Sequence, residues 1–119
     1  MTTLLDLLFL LGALFWGGTD APVRLVPESP YEGALGLACA AAFRAVPGNA
    51  QGQCPEDFEG IVICPLALRD RATLLNVLRH EGHHLEAGPQ EGADPFDEAG
   101  AYRAGCDYSW IPECYWWMR

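Results

Sequence analysis

Lysine is missing from this chain. Its seven basic residues are all arginine, set against sixteen acidic ones, and the formal charge is -9. So little positive charge repels phosphate backbones, which argues against nucleic acid as a partner. Histidine is also scarce: the three in the chain all fall between residues 80 and 84. No internal repeat or low-complexity linker is visible, and no apolar run reaches the roughly 20 residues that a membrane helix needs. With 119 residues there is room for one hydrophobic core and not for a second lobe. Residues 1–119 are therefore read as a single domain, expected to be a monomer, without a deep two-lobed cleft.

Cysteine, by contrast, is abundant. Five in so short a chain favour an oxidising compartment, extracellular or in the cell envelope, with two disulfides and one thiol left over. A reduced cytosolic chain is the competing reading. Local spacing makes Cys54–Cys64 and Cys106–Cys114 the expected pairs, while Cys39, within an alanine-rich stretch, is expected to be a small core residue. Residues 1–16 are apolar almost all round and stop at Gly17-Gly18. They lack a basic start, and Asp6 interrupts them, so residues 1–17 are read as a buried N-terminal helix in preference to a cleaved signal or a membrane anchor. Membrane contact through residues 1–16 is the less favoured alternative.

Further along, Val23 to Val26 is predicted as a short strand ended by Pro27, and Pro30 to Ala45 as a helix closed by Pro47-Gly48. Gly60 to Cys64 is the clearest strand, continuous and β-branched. Asp70 or Thr73 caps a helix that runs to Ala87 before Gly88-Pro89. Asp94-Pro95 opens a second helix running to Gly105, and an aromatic tail occupies residues 106–119. Strands and helices in this order make an α+β domain: a short mixed sheet packed on helices.

The chemistry concentrates on the first of these two helices. His80-Glu81-Gly82-His83-His84 fits the pattern H-E-x-x-H, which sets two imidazoles one helical turn apart on one face with a carboxylate beside them. At about 100° per residue, Leu74, Leu78, Gly82 and Leu85 form a core stripe, with Leu75 at its edge. His80 and His84 lie on the neighbouring side bordered by Val77, and Glu81 falls between them and the stripe. His83 points away with Asn76 and Arg79 and reads as a solvated residue, with a substrate contact as the alternative.

A metal held by His80 and His84 needs a further ligand, and since no other histidine lies outside this helix, it must be a carboxylate or a thiolate. Helices joined by a short turn pack antiparallel. His84 and Glu98 are equidistant from Glu91, and so are His80 and Tyr102. Glu98, Tyr102 and Gly105 share one face. Glu98 is thus the expected third ligand, ahead of Asp94 and Asp97, and Gly105 permits close packing.

With these residues in hand the chain resembles the gluzincin group of zinc metallopeptidases, and its size is similar to the minimal, single-domain minigluzincins. The resemblance rests on His80-Glu81 and His84, on Glu98 within residues 97–103, and on the strand Ile61 to Cys64 before the helix; it spans roughly residues 60–105. It implies a zincin-like fold with an active-site helix and an antiparallel glutamate helix. It also implies one catalytic Zn2+ on His80, His84 and Glu98, and hydrolysis of protein or peptide substrates by a metal-activated water with Glu81 as general base. Tyr102, Tyr108 and Tyr115 are the candidates to steady the oxyanion, Tyr102 foremost, and Ile61 to Ile63 is either the strand on which substrate pairs or simply a core strand. Two residues depart from the group's pattern. Gly82 is a weak helix former, and Tyr102 stands where many relatives have an Asp supporting a zinc-binding His. That support falls here to Asp94, Asp97 or a backbone carbonyl. The competing function is a disulfide-stapled zinc domain that binds a protein partner without turnover. Between the two stands a latent enzyme whose tail covers the cleft and whose Glu113 approaches the metal. Trp110, Trp116 and Trp117 otherwise complete a small core.

Overall fold

The computed structural model describes residues 21–46, 53–55 and 57–118; the expected N-terminal helix over residues 1–17 lies outside the described residues. Among the described residues the strands are β1 (Val23–Leu25), β2 (Gly36–Cys39) and β3 (Gly60–Ile63), and the helices are α1 (Arg71–Ala87), α2 (Glu98–Tyr108) and α3 (Pro112–Met118). Short 3-10 turns follow β2 at Ala41–Phe43 and β3 at Pro65–Arg69. No helix among the described residues is long and apolar enough to cross a membrane.

The sheet is mixed, in the order β1-β3-β2. β1 runs parallel to β3 with Val23 opposite Ile61, and β2 runs antiparallel with Leu37 opposite Val62. β3 is buried on both faces, which is why it reads as a continuous apolar run. Ile61 and Ile63 pack with Leu74, Val77 and Leu78 of α1, while Val62 packs with Leu37 and Cys39. Each of these large side chains contributes about 1.5–3 kcal/mol by leaving water. The α+β expectation, a small mixed sheet packed on helices, holds at this level.

The expected helix from Pro30 to Ala45 does not form. Gly36–Cys39 is a strand instead, and only Ala41–Phe43 turns helically. Helix propensity in an alanine-rich stretch is a weak preference, and pairing with β3 overrides it. Gly36 shows how tightly this edge strand sits on α1: a Cβ there would come within 2.7 Å of Val77 Cγ1 and 2.8 Å of Val62 O.

The disulfides are Cys39–Cys54 and Cys106–Cys114, with Cys64 left as a buried thiol. The expected Cys54–Cys64 pair is therefore wrong; Cys39 is the small core residue expected, but as half of a disulfide and not as the leftover thiol. Register explains the exchange. Cys39 stands opposite Gly60, at the end of β3 where the segment from Cys54 arrives, while Cys64 follows the other end. A strand of this length separates the two ends by about 10–13 Å, too far for a disulfide. Two disulfides are compatible with an extracellular location.

α1 begins as expected: the Asp70 carboxylate accepts from Thr73 N at 2.7 Å. It ends at Gly88, whose φ of 66° takes the chain out of the helix. α2 starts later than Asp94-Pro95 suggests, at Glu98, with Asp97 as its cap at φ 51°. Asp94 still serves this end, accepting from the N–H groups of Glu98 and Ala99 at 3.0 and 3.3 Å. The tail begins later as well, because Cys106 to Tyr108 belong to α2. Among its described side chains Ile111 and Cys114 are buried, while Trp110 and Trp116 are 55% and 76% exposed and complete no core; the side chain of Trp117 lies outside those described.

Candidate metal centre

Periodicity on α1 delivers His80 and His84 to one face, and their Nε2 atoms lie 3.3 Å apart. The antiparallel α2 brings Glu98 to the same point: its Oε1 is 2.6 Å from His84 Nε2 and 3.5 Å from His80 Nε2. Glu81 adjoins them and is buried. The donor atoms of His80, Glu81 and His84 lie within 4.8 Å of one another, so this group could hold a metal ion.

Glu98 tightens that fit. A tetrahedral ion with bonds of about 2.0–2.1 Å spaces its ligand atoms roughly 3.3 Å apart. Two of the three separations among His80, His84 and Glu98 are at that spacing, and the third, His84 to Glu98, is a hydrogen bond that an ion would replace. Glu81, next to His80 in the chain, is then free to stand beside the ion. Glu81 and Glu98 are thus the two carboxylates within reach of a metal held by His80 and His84.

Charge in the site follows from these contacts. Hydrogen bonds from His80 and His84 hold the Glu98 carboxyl far below its usual value. Burial opposes protonation of His84, but the hydrogen bond to Glu98 and the charges of Glu81 and Glu98 outweigh it and raise its value. Burial raises Glu81, against the lowering effect of His80 and His84.

Of the three expected supports for a histidine of this pair, the backbone carbonyl is the one found. Phe96 O accepts from His84 Nδ1 at 2.8 Å, so a backbone carbonyl turns Nε2 towards Glu98. Phe96 in turn meets Phe43, with ring centroids 5.8 Å apart. Asp94 and Asp97 support neither ligand histidine: Asp94 caps α2, and Asp97 Oδ2 accepts from His83 at 2.7 Å. His83 is thus not a simply solvated residue. Asn76 also departs from its expected place opposite the core, because that side of α1 is covered by α2 and the tail. It is 5% exposed, donates to Ser109 O at 2.7 Å and touches both sulfurs of the Cys106–Cys114 disulfide. Arg79 stacks over Tyr108, 4.3 Å from the ring centroid.

A cavity of about 550 Å³ opens on this group, bounded by β2, α1, α2 and the tail. Tyr102 lines it with its ring 4.7 Å from that of His80, at the expected level. Tyr31 lines it too, half exposed, on the turn before β2. Burial, reinforced by Glu98 and Glu81, raises both phenols, so both stay protonated as hydrogen-bond donors. Sequence reasoning missed Tyr31, because nothing local ties a turn residue before β2 to a helix forty-odd residues on; only the pairing of β2 with β3 brings it there. Tyr108 and Tyr115 do not line the cavity. Glu113 does, but both its oxygens are bound by Arg69 at 2.7 and 3.1 Å.

No family model matches the chain, no curated protein matches it, and no solved structure matches it. The chemistry of the site rests on its own geometry.

Proposed function

We propose that this chain is a zinc-dependent peptidase of the gluzincin type, with His80, His84 and Glu98 as zinc ligands and Glu81 as general base. One observation carries the reading: His80 Nε2, His84 Nε2 and Glu98 Oε1 converge within 3.5 Å beside a buried Glu81, at the wall of an open cavity. Two imidazoles and one carboxylate suit zinc and leave it an open position. A bound ion would supply Lewis acidity and a nucleophilic water near neutral pH.

The chain's own residues do the rest. Glu81 takes a proton from the attacking water and delivers it to the leaving amine, and burial helps by raising its affinity for the proton. Tyr102 and Tyr31 present phenol donors to the carbonyl oxygen as it gains charge. Substrate alignment falls to β2. Ile61 to Ile63, the strand first expected to serve, is the central strand with a partner on each side. Gly36 to Ala38 line the cavity and present the backbone along which an extended peptide would lie.

The test combines metal content with one variant. The purified chain should hold one zinc ion, and its cleavage of an unfolded protein substrate should stop with a chelator and return with zinc. Glu81→Gln should keep the metal and lower the rate by about 10²–10⁴-fold. Full activity in Glu81→Gln would end this assignment.

A second reading, a zinc domain that is latent or does not turn over, draws on the tail. Ile111, Glu113 and Cys114 form part of the cavity wall, and Arg69 and Cys106 fasten them. A zinc-loaded chain that cleaves nothing in a broad peptide library, and gains activity once the Arg69–Glu113 contact is removed, would favour latency.

A further inference from the structure

Three consecutive residues meet the three histidines. Phe96 O holds His84 Nδ1, Asp97 Oδ2 holds His83 Nε2, and Glu98 Oε1 reaches His84 Nε2 and His80 Nε2. The middle contact touches neither expected ligand, and its residues are the unusual ones. Asp97 lies in the left-handed region at φ 51°, ψ 52°, which Asp tolerates better than most residues and which its contacts here fix. Asp97 Oδ1 accepts from Gly100 N at 3.3 Å and Oδ2 from His83 Nε2 at 2.7 Å. Gly100 leaves the space: a Cβ there would meet the Asp97 carboxylate and lie 2.6 Å from His83 Nε2.

Capping does not account for this pair. The first turn of α2 takes two acceptors from Asp94 and one from Asp97 Oδ1, and the cap would be complete without Oδ2. Oδ2 is aimed across at α1 instead. Glu98, the next residue, has a side chain 50% exposed, so no wall of neighbours fixes it. Its place is set by where its backbone leaves Asp97.

We propose that the His83–Asp97 hydrogen bond is the positioning device of the metal site: it fixes the turn from which Glu98 reaches His80 and His84. His83 and Asp97 touch neither metal nor substrate; they act through Glu98. The inference rests on the reading of His80, His84 and Glu98 as ligands. It also explains why the histidine between the two ligand turns is turned towards α2.

The test measures zinc affinity on the full chain by competition with a chromophoric chelator, and the visible spectrum of the Co2+ form. His83→Ala should bind zinc about tenfold more weakly, the lower end of what removing a supporting contact does, and should shift the Co2+ bands. Asp97→Asn keeps a residue tolerant of the left-handed turn and an oxygen for Gly100 N, but loses the carboxylate that spans both helices; it should show a similar loss. His83→Gln places an amide nitrogen near the original Nε2 and should restore most of the affinity. The melting temperature of the metal-free protein separates positioning from folding. The proposal is overturned if His83→Ala and Asp97→Asn bind zinc as tightly as the natural chain. It is overturned equally if their loss tracks a fall in metal-free melting temperature that His83→Gln does not repair. Should His83→Ala fail to fold, Asp97→Asn and His83→Gln carry the same comparison. A natural chain that binds no zinc overturns the metal reading beneath it, a result distinct from both.

Discussion

Gly105→Ala tests the helix packing on which the site depends. A Cβ at this position would lie 2.8 Å from Asn76 Oδ1, 2.9 Å from Asn76 O and 3.1 Å from Asn76 Cγ, against the 3.4 Å at which ordinary contact begins. The carbonyl of Asn76 belongs to the middle of α1 and cannot give way, and its amide is held by Ser109 O at 2.7 Å. The C-terminal half of α2 must therefore retreat by roughly half an ångström, an overpacking that costs about 1–3 kcal/mol. Strain on the Asn76 to Ser109 hydrogen bond adds about 1 kcal/mol. Alanine's better helix propensity offsets about 1 kcal/mol. The net loss is about 2 kcal/mol, which lowers the melting temperature of a domain of this size by roughly 8 °C. Thermal unfolding of the metal-free protein with its disulfides intact measures it. Glu98 lies two turns away at an end fastened by Asp94 and Asp97, so zinc affinity should change by less than about threefold. A melting temperature at or above that of the natural chain would show that propensity outweighs the clash, and the account of α1 against α2 would be wrong.

The thiol chemistry gives a direct result: under denaturing, non-reducing conditions one thiol should react, and peptide mapping should find it at Cys64, with Cys39 linked to Cys54. Mapping that joins Cys54 to Cys64 would refute the register of β2 on β3. The Arg69 guanidinium holds Glu113 below the usual carboxylate range, so this pair stabilises above the unfolded pKa near ~4.3 and is lost as pH falls through the folded value. Arg69→Ala should cost about 0.5–1 kcal/mol more at pH 7 than near pH 2, the discount for a partly exposed pair included, because its hydrogen bond to Thr73 Oγ1 is lost at both; equal losses at both would refute the pairing. In the metal-free protein the raised His84 contributes below its unfolded value near ~6.5 and loses that contribution as pH rises through the folded value. The lowered Glu98 contributes above ~4.3 and loses it on acidification. Glu98→Gln should therefore lower the metal-free melting temperature most between about pH 4.5 and 6.5, and a loss independent of pH would refute the His84–Glu98 contact.

What could be read in advance was local. α1, its Asp70 cap and its Gly88 stop follow from spacing and from two residues whose backbone preferences are strong. The juxtaposition of Glu98 with His84, and of Tyr102 with His80, follows from symmetry about the connecting turn, because two short-linked helices leave few other arrangements. The helical wheel failed where it stopped at one helix. It sent Asn76 and His83 to water, but α1 is covered on that side too, by α2 at His83 and by the tail at Asn76. A wheel reports which residues share a side, not how many sides will be packed.

The remaining errors share one physical origin, the edge strand. Residues 36–39, Gly-Leu-Ala-Cys, carry no strong local preference for strand over helix, and the choice is made by β3 and by the closeness of Gly36 to Val77. Once β2 pairs there, three consequences follow together. Cys39 lies by the end of β3 that Cys54 approaches, so Cys64 keeps its thiol. Tyr31, on the turn that leads in, arrives at the cavity. β3 becomes the central strand with a partner on each side, and β2 becomes the strand that lines the cavity. A variant that displaces β2 should therefore disturb disulfide pairing and substrate contact more than the meeting of His80, His84 and Glu98, which α1 and α2 carry and which β2 reaches only through Phe43 and Phe96. Gly36→Ala is that variant, because its Cβ would press on Val77 and Val62. It should cost about 1–3 kcal/mol and impair cleavage more than zinc binding; zinc affinity falling in step with cleavage would mean that sheet and metal site are not separable in this way.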